Sequence, residues 1–154
     1  MTAEFKNDPK IWKASCLQLL ETLTVIERGI LKSNDSEVHS ATLSAMMIAG
    51  FAFENAFKAW YLKEKGDLYN EEGKQKGFSS HAYTTWVQQN KIKLLGWEDE
   101  ALDKAEFFCV AWGRYPAHNK KEKERPYETW GLEDVNQLKN LIRRLLDSTI
   151  TYKK

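Results

Sequence analysis

Four side chains in this sequence are of types that could carry out acid–base and phosphate chemistry together: Glu54, His81, Arg114 and His118. A histidine exchanges protons near neutral pH because its unperturbed pKa is about 6.5. An arginine can hold a phosphate through two parallel hydrogen bonds. Arg114 and His118 therefore suit metal-free cleavage of an RNA phosphodiester, in which the histidine moves protons and the arginine steadies the charged phosphorane. Such assistance contributes roughly 10²–10⁴-fold in rate.

Four further residues could assist this chemistry as substrate contacts: Asn55, Tyr115, Lys120 and Lys121. The lysines begin a basic loop that could contact phosphates with a salt-dependent gain in affinity. Glu122 and Glu124 alternate with the basic residues and lower the positive electrostatic potential of the loop. The alternative is that this loop is only solvated and that His118, after an irregular turn at Pro116, is simply exposed.

Glu54 is unusual because it takes an apolar position on a predicted core helix. Its stripe contains mainly apolar residues, namely Leu43, Met47, Gly50, Phe57 and Tyr61. Core helices rarely carry a carboxylate without a partner. Lys58, one turn later, and Arg114, across the core, are the candidate partners for a buried ion pair. Removing one member of such a pair would cost about 3–5 kcal/mol.

The helices that must position these residues follow from apolar periodicity and capping signals. Asp8 and Pro9 begin the first helix, and the turn chemistry of residues 33–36 ends it. The other predicted helices run from about Asn34–Ser36 to Gly66, from Ser79 or Ser80 to Asn90, from Glu98 to Trp112, and from Leu132 to Thr151. The run from Ile92 to Trp97 has weak strand potential and no expected pairing partner. Together they predict an all-α, antiparallel up-down four-helix bundle with one short extra helix.

Composition is that of an ordinary globular protein, with 154 residues, 42% hydrophobic content and a net charge of +1. We expect a single domain over residues 1–154. Cys16 and Cys109 fall on apolar stripes and are expected to be buried free thiols. The run from Leu43 to Leu62 has membrane length but contains Glu54 and Lys58, which disfavours a span. We expect a cytoplasmic protein that binds no membrane, metal or cofactor.

Three short segments together resemble the HEPN superfamily: Phe53-Glu-Asn-Ala-Phe-Lys-Ala59, Ser80-His-Ala-Tyr83 and Trp112-Gly-Arg-Tyr-Pro116. The resemblance covers roughly residues 40 to 150. It implies a helical bundle, often a homodimer, that acts on RNA in toxin–antitoxin pairs, phage defence or stress responses. A cognate antitoxin or a nucleotidyltransferase is the kind of protein partner that it implies.

Active HEPN ribonucleases share an Arg followed after four to six residues by His. In this chain three residues separate Arg114 from His118, and the position with four intervening residues is Asn119. The chain is thus more similar to HEPN-like proteins with a Gly-Arg-Tyr-Pro signature, for which no activity follows from the resemblance.

Three functions remain open from the sequence. The first is an RNA-directed protein, either a weak metal-free endoribonuclease or a degenerate RNA binder. The second is a non-catalytic homodimeric interaction module in which Glu54, His81 and Arg114 form a structural network. The third is a small-ligand or nucleotide-binding bundle, with Arg114 on an anionic group and Tyr83 or Trp86 stacked on a ring.

Overall fold

The computed structural model describes residues 2–32, 35–77, 82–109 and 131–154, with side chains described from residue 41 onward in the second range. The helices of these ranges are α1 (Ala3–Lys6), α2 (Pro9–Ile30), α3 (Asp35–Glu64), α4 (Tyr83–Gln89), α5 (Glu98–Phe107) and α6 (Leu132–Leu146). The described ranges contain no strand, only two isolated antiparallel bridges. The prediction of an all-α chain is confirmed.

Helix α2 begins where the capping signals predict. The Asp8 carboxylate accepts the backbone N–H of Lys10 at 2.9 Å, and Pro9 occupies the first turn. Pro9 suits this position because the first N–H groups of a helix have no acceptor within it. The buried residues of α2 are Cys16, Leu23 and Ile30, which recur every two turns and so lie along one face of the helix.

Helices α2 and α3 run in opposite directions, because the segment after α3 is fixed to the start of α2. The Asn7 side chain accepts the backbone N–H groups of Leu68 and Tyr69 at 3.1 and 2.9 Å and donates to the Tyr69 carbonyl at 2.9 Å. Helix α3 ends at Glu64, and Gly66 has a φ of +105°, as the predicted stop at this glycine requires.

Contacts between helix ends give the remaining directions. Lys104 of α5 bonds Asp134 at the start of α6, and Glu98 at the start of α5 pairs with Arg144 near the end of α6, so these two helices are antiparallel. Lys63, at the end of α3, donates to Ser148 just after α6 at 2.9 Å, so α3 and α6 are parallel. Direction therefore alternates through α2, α3, α5 and α6. The complete four-helix bundle stays a prediction, since residues 110–130 lie outside the described residues.

The expected boundaries of two helices were wrong. Helix α6 ends at Leu146 rather than Thr151, and Ser148 adopts a left-handed φ of +54°. The chain then returns along Ile92, where Lys93 N–H donates to the Thr151 carbonyl at 2.8 Å and Lys153 N–H donates to the Lys91 carbonyl at 2.7 Å. The run from Ile92 therefore has a pairing partner after all. A local pattern could not show it, because the two segments are far apart in sequence.

Helix α4 begins at Tyr83 with Ala82 at its N-cap, later than the predicted start at Ser79 or Ser80, which lie outside the described residues. Its cap comes instead from α5, where the Glu106 carboxylate accepts the Thr84 backbone N–H at 2.7 Å and the Thr84 hydroxyl at 2.8 Å. The predicted end near Asn90 is confirmed. The predicted continuation of α5 to Trp112 runs into residues outside the described ranges.

The hydrophobic core is built around α3, which packs against α2, α5 and α6. Its largest fully buried side chains include Phe53, Phe57, Tyr83 and Trp86. No helix in the described part of the chain has both the length and the apolar character needed to cross a membrane.

Candidate functional site

Both carboxylate oxygens of Glu54 are engaged within the fold. One accepts the Lys58 ammonium at 2.7 Å, and the other accepts the Tyr83 hydroxyl at 3.2 Å. The side chains of Glu54 and Lys58 are only 15% and 9% exposed. Of the partners considered for Glu54, Lys58 is confirmed, whereas His81 and Arg114 lie outside the described residues. Tyr83 is a partner that sequence reasoning missed, because it lies on a different helix from Glu54.

Lys58 has a second electrostatic partner in Trp12 of α2. Its ammonium lies 4.4 Å from the centre of the indole ring, within the range of a cation–π contact. The indole N–H donates to the Lys6 carbonyl at 2.7 Å, and the ring stacks on Tyr69 at 6.0 Å between centroids. The Glu54–Lys58 pair is thereby linked to the start of α2 and to the segment after α3.

Tyr83 lies where α3, α4 and α5 meet. Burial raises the pKa of its hydroxyl far above the ordinary value, and the nearby Cys109 and Glu54 add to the effect. The phenol is therefore held neutral and can donate to Glu54. Gly50 makes this meeting possible, because a Cβ at that position would lie 2.5 Å from the Cys109 sulfur.

The two cysteines are buried free thiols, as predicted. Burial raises the pKa of the Cys16 thiol to about 12. The Cys109 sulfur lies 3.6 Å from the Met47 carbonyl as a hydrogen-bond donor. Because the thiolate is the reactive form of cysteine, Cys16 is poorly suited to nucleophilic chemistry in the folded protein.

The described residues test only part of the predicted site. Glu54 and Asn55 are neighbours on α3, with Asn55 half-buried. The other predicted site residues lie outside the described residues: His81, Arg114, Tyr115, His118, Lys120 and Lys121. Convergence of Glu54 with Arg114 and His118 therefore stays a prediction.

The stacking platform predicted for a ligand ring is wrong. Tyr83 is 0% exposed and Trp86 is 1% exposed. Their rings pack edge to face at 5.3 Å, and both contact the aromatic side chains of α3. A ligand ring has no access to either face, because the core already occupies them.

A second buried ion pair was missed from the sequence. Glu98 is 2% exposed and pairs with Arg144, and it also accepts the Leu95 backbone N–H at 2.8 Å. Each residue has an ordinary local explanation, since acids favour the first turn of a helix and bases the last. Only the packing of α5 against α6 makes them partners. Among the described residues, no three His, Cys, Asp or Glu side chains are grouped as metal ligands would be.

Comparison of the chain with protein-family models, with curated proteins and with solved structures found no match. The resemblance to HEPN proteins therefore depends on the three short segments described above.

Proposed function

We propose that this chain is a non-catalytic helical interaction module that associates with a second copy of itself. The observation that carries the proposal is the state of Glu54. Both of its oxygens are engaged, by Lys58 on the same helix and by Tyr83 on α4. A carboxylate held in this way fixes the packing of helices and is poorly placed to accept a substrate proton.

Apolar surface is available for association. Val25 and Leu31 near the end of α2 are 67% and 76% exposed, and Trp97 before α5 is 67% exposed. Tryptophan is enriched at protein interfaces because it buries a large area at a small entropic cost. The end of α2 is the surface that we assign to the second copy, because two large aliphatic side chains lie within two turns there.

Sedimentation equilibrium at micromolar concentration tests the proposal. The wild-type chain should have twice the mass of the 17.9 kDa protomer. Val25→Glu combined with Leu31→Glu should give the protomer mass, whereas Ala14→Glu, exposed on α2 about three turns before Val25, should leave the dimer intact. A wild-type chain that sediments as a monomer would contradict the proposal.

The second candidate is an RNA-directed HEPN-like protein in a defence, stress or toxin–antitoxin setting. One observation favours it: the Tyr83–Glu54 hydrogen bond joins the second long helix to the start of the short helix. Glu54 and Tyr83, which belong to two of the three segments that resemble HEPN proteins, are thus in contact. In this function Arg114 would hold phosphate, His118 would transfer protons, and Asn55 and Tyr115 would assist.

The two candidates are separated by incubating the purified chain with total RNA in EDTA. A ribonuclease should cleave, and His118→Ala should lower its rate by roughly 10²-fold or more. Cleavage that persists unchanged in His118→Ala would come from a contaminant or from other residues. Absence of both cleavage and RNA binding would leave the interaction module as the better proposal.

A further inference from the structure

A cleft of about 350 Å³ lies where the start of α2, the end of α3 and the end of α6 meet. Its walls are formed by Pro9, Lys10, Lys13, Ala59, Trp60, Lys63, Leu145, Leu146 and Ser148. This volume is at the lower end of the range for small-molecule sites. None of these residues belongs to the Glu54 network or to the α2 surface assigned to a second copy.

The floor of the cleft is apolar. The accessible apolar surface is that of Pro9 and Leu146, which are half-buried, whereas Ala59, Trp60 and Leu145 beneath them are only 7%, 2% and 1% exposed. An apolar body placed on this floor would remove carbon surface from water on both sides, at roughly 25 cal/mol per Å².

The rim of the cleft is basic. Lys10 and Lys13 are exposed on successive turns of α2, and Lys63 comes from α3. The described lining residues include no carboxylate. The nearby acids are engaged or peripheral: Asp8 caps the Lys10 backbone N–H, and Glu64 lies 3.9 Å from the Lys63 ammonium.

The Lys63 ammonium is held in place by the chain itself. It donates to the Ser148 hydroxyl at 2.9 Å, and Ser148 has a left-handed backbone that turns the chain away from α6. Asp147 precedes it and is exposed. The positive end of the α2 dipole lies on the same side, since Pro9 lines the cleft.

We infer that this cleft binds a small molecule with an anionic head and an apolar body, the head at Lys10, Lys13 and Lys63 and the body on Pro9 and Leu146. The chemistry required of the head is that of a carboxylate or a phosphate monoester. Either group accepts charge-assisted hydrogen bonds from ammonium groups. The inference does not depend on self-association or on ribonuclease activity.

Isothermal titration with matched probes below their micellar concentrations tests the assignment. Decanoate and decyl phosphate carry the same tail with the two possible heads, decanol lacks the charge, and acetate lacks the tail. At least one of the two anionic amphiphiles should bind at a single site, about tenfold or more tighter than decanol, and acetate should not bind. The tighter of the two heads identifies its chemical class.

Charge-matched variants locate the site. Lys10→Ala, Lys13→Ala and Lys63→Ala together should weaken binding by about tenfold or more and reduce its dependence on salt. Lys32→Ala, Lys76→Ala and Lys154→Ala remove the same charge from exposed positions outside the cleft and should change affinity by less than about twofold. All six lysines are exposed or lie on the rim, so the variants should fold.

Amide NMR shifts provide an independent location. The bound probe should change the amide resonances of Ala59, Leu145 and Ser148 and leave the amide resonance of Lys76 unchanged. The proposal fails if neither anionic amphiphile binds, if decanol binds as tightly, or if the two triple variants lose affinity equally.

Discussion

At the scale of single residues, the Glu54 network is stable because each charge has more than one partner. Lys58 contacts a carboxylate at 2.7 Å and the face of Trp12 at 4.4 Å, while Glu54 also accepts the Tyr83 hydroxyl. Both charged side chains are mostly removed from water. Breaking a buried pair leaves the remaining charge unsolvated, and this is more costly than losing an exposed pair.

Glu54→Gln should therefore lower the free energy of unfolding by about 3 kcal/mol, because Lys58 stays charged and buried. Urea unfolding measures the change. Adding Lys58→Met should recover part of the loss, since the unpaired charge is removed. Glu72→Gln is the matched control, because Glu72 pairs with Lys74 at 3.0 Å on the exposed surface and should have no measurable effect. Equal losses for Glu54→Gln and Glu72→Gln would contradict a structural role.

Tyr83→Phe should cost about 1–2 kcal/mol near neutral pH, because Glu54 loses a buried hydrogen bond. The pKa of Tyr83 is raised in the folded protein by burial and by its neighbours, so the unfolded chain releases this proton first as pH rises. Stability is thus fully present below the unfolded pKa of about 10 and falls above it.

The stability of wild type should consequently decline more steeply than that of Tyr83→Phe between about pH 10 and 11. Unfolding curves of the two proteins across this interval measure the difference. Parallel curves would show that Tyr83 ionises as easily in the folded state as in the unfolded state.

At the scale of elements, the position of α4 and α5 on α3 depends on two residues that are not among the predicted site residues. Gly50 leaves room for the Cys109 sulfur, and Glu106 of α5 caps α4 through Thr84. Both contacts are next to Tyr83, which is fully buried: its ring lies 3.5 Å from a Cβ built at Gly50, and Thr84 follows it in the chain. The short helix is therefore held by its neighbours, in agreement with the rule that a seven-residue helix is not stable alone.

Gly50→Ala should destabilise the protein by about 1–3 kcal/mol, since the new methyl group would lie 2.5 Å from the Cys109 sulfur. Gly29→Ala is the matched control on α2, where nothing lies within 4 Å of the added Cβ, and it should stabilise by up to about 1 kcal/mol. Cys109→Ala should relieve the clash, so Gly50→Ala should cost less in that background. Thermal unfolding of the four variants tests this, and a neutral Gly50→Ala would refute the close approach.

At the scale of the whole molecule, contacts between segments far apart in sequence hold α6 and the C-terminal residues against the segment between α4 and α5. Arg144 pairs with buried Glu98 and also donates to the Lys93 carbonyl at 3.3 Å. The C-terminal residues return to the same region through the Ile92–Tyr152 bridge. Arg144 thus joins α6, α5 and the segment between α4 and α5.

Arg144→Met should lower stability by about 3 kcal/mol, because Glu98 would remain buried without its partner. Amide hydrogen exchange should also become faster at Lys93 and Lys153, whose N–H groups hold the terminal segment. Arg143→Met changes the neighbouring exposed arginine and should alter neither quantity. Unchanged exchange in Arg144→Met would show that the terminal segment is held independently of the ion pair.

The sequence by itself determined the features that are encoded locally. Apolar periodicity and the signals of Asp8, Pro9 and Gly66 identified the helices and several of their ends, because capping and i,i+4 spacing act within one or two turns. The Glu54–Lys58 pair was predictable for the same reason, since both residues lie on one helix.

Only the tertiary structure decided which distant groups meet. The Tyr83 hydroxyl on Glu54, the Glu106 cap on α4, the Glu98–Arg144 pair and the lysine-rimmed cleft each join residues from separate elements. Each partner taken alone has an ordinary local explanation, as a core aromatic, a helix-surface acid or a solvated base. Whether such a residue also has a distant partner depends on how closely two helices approach each other. That distance is set by the packing of the entire core rather than by any short stretch of sequence.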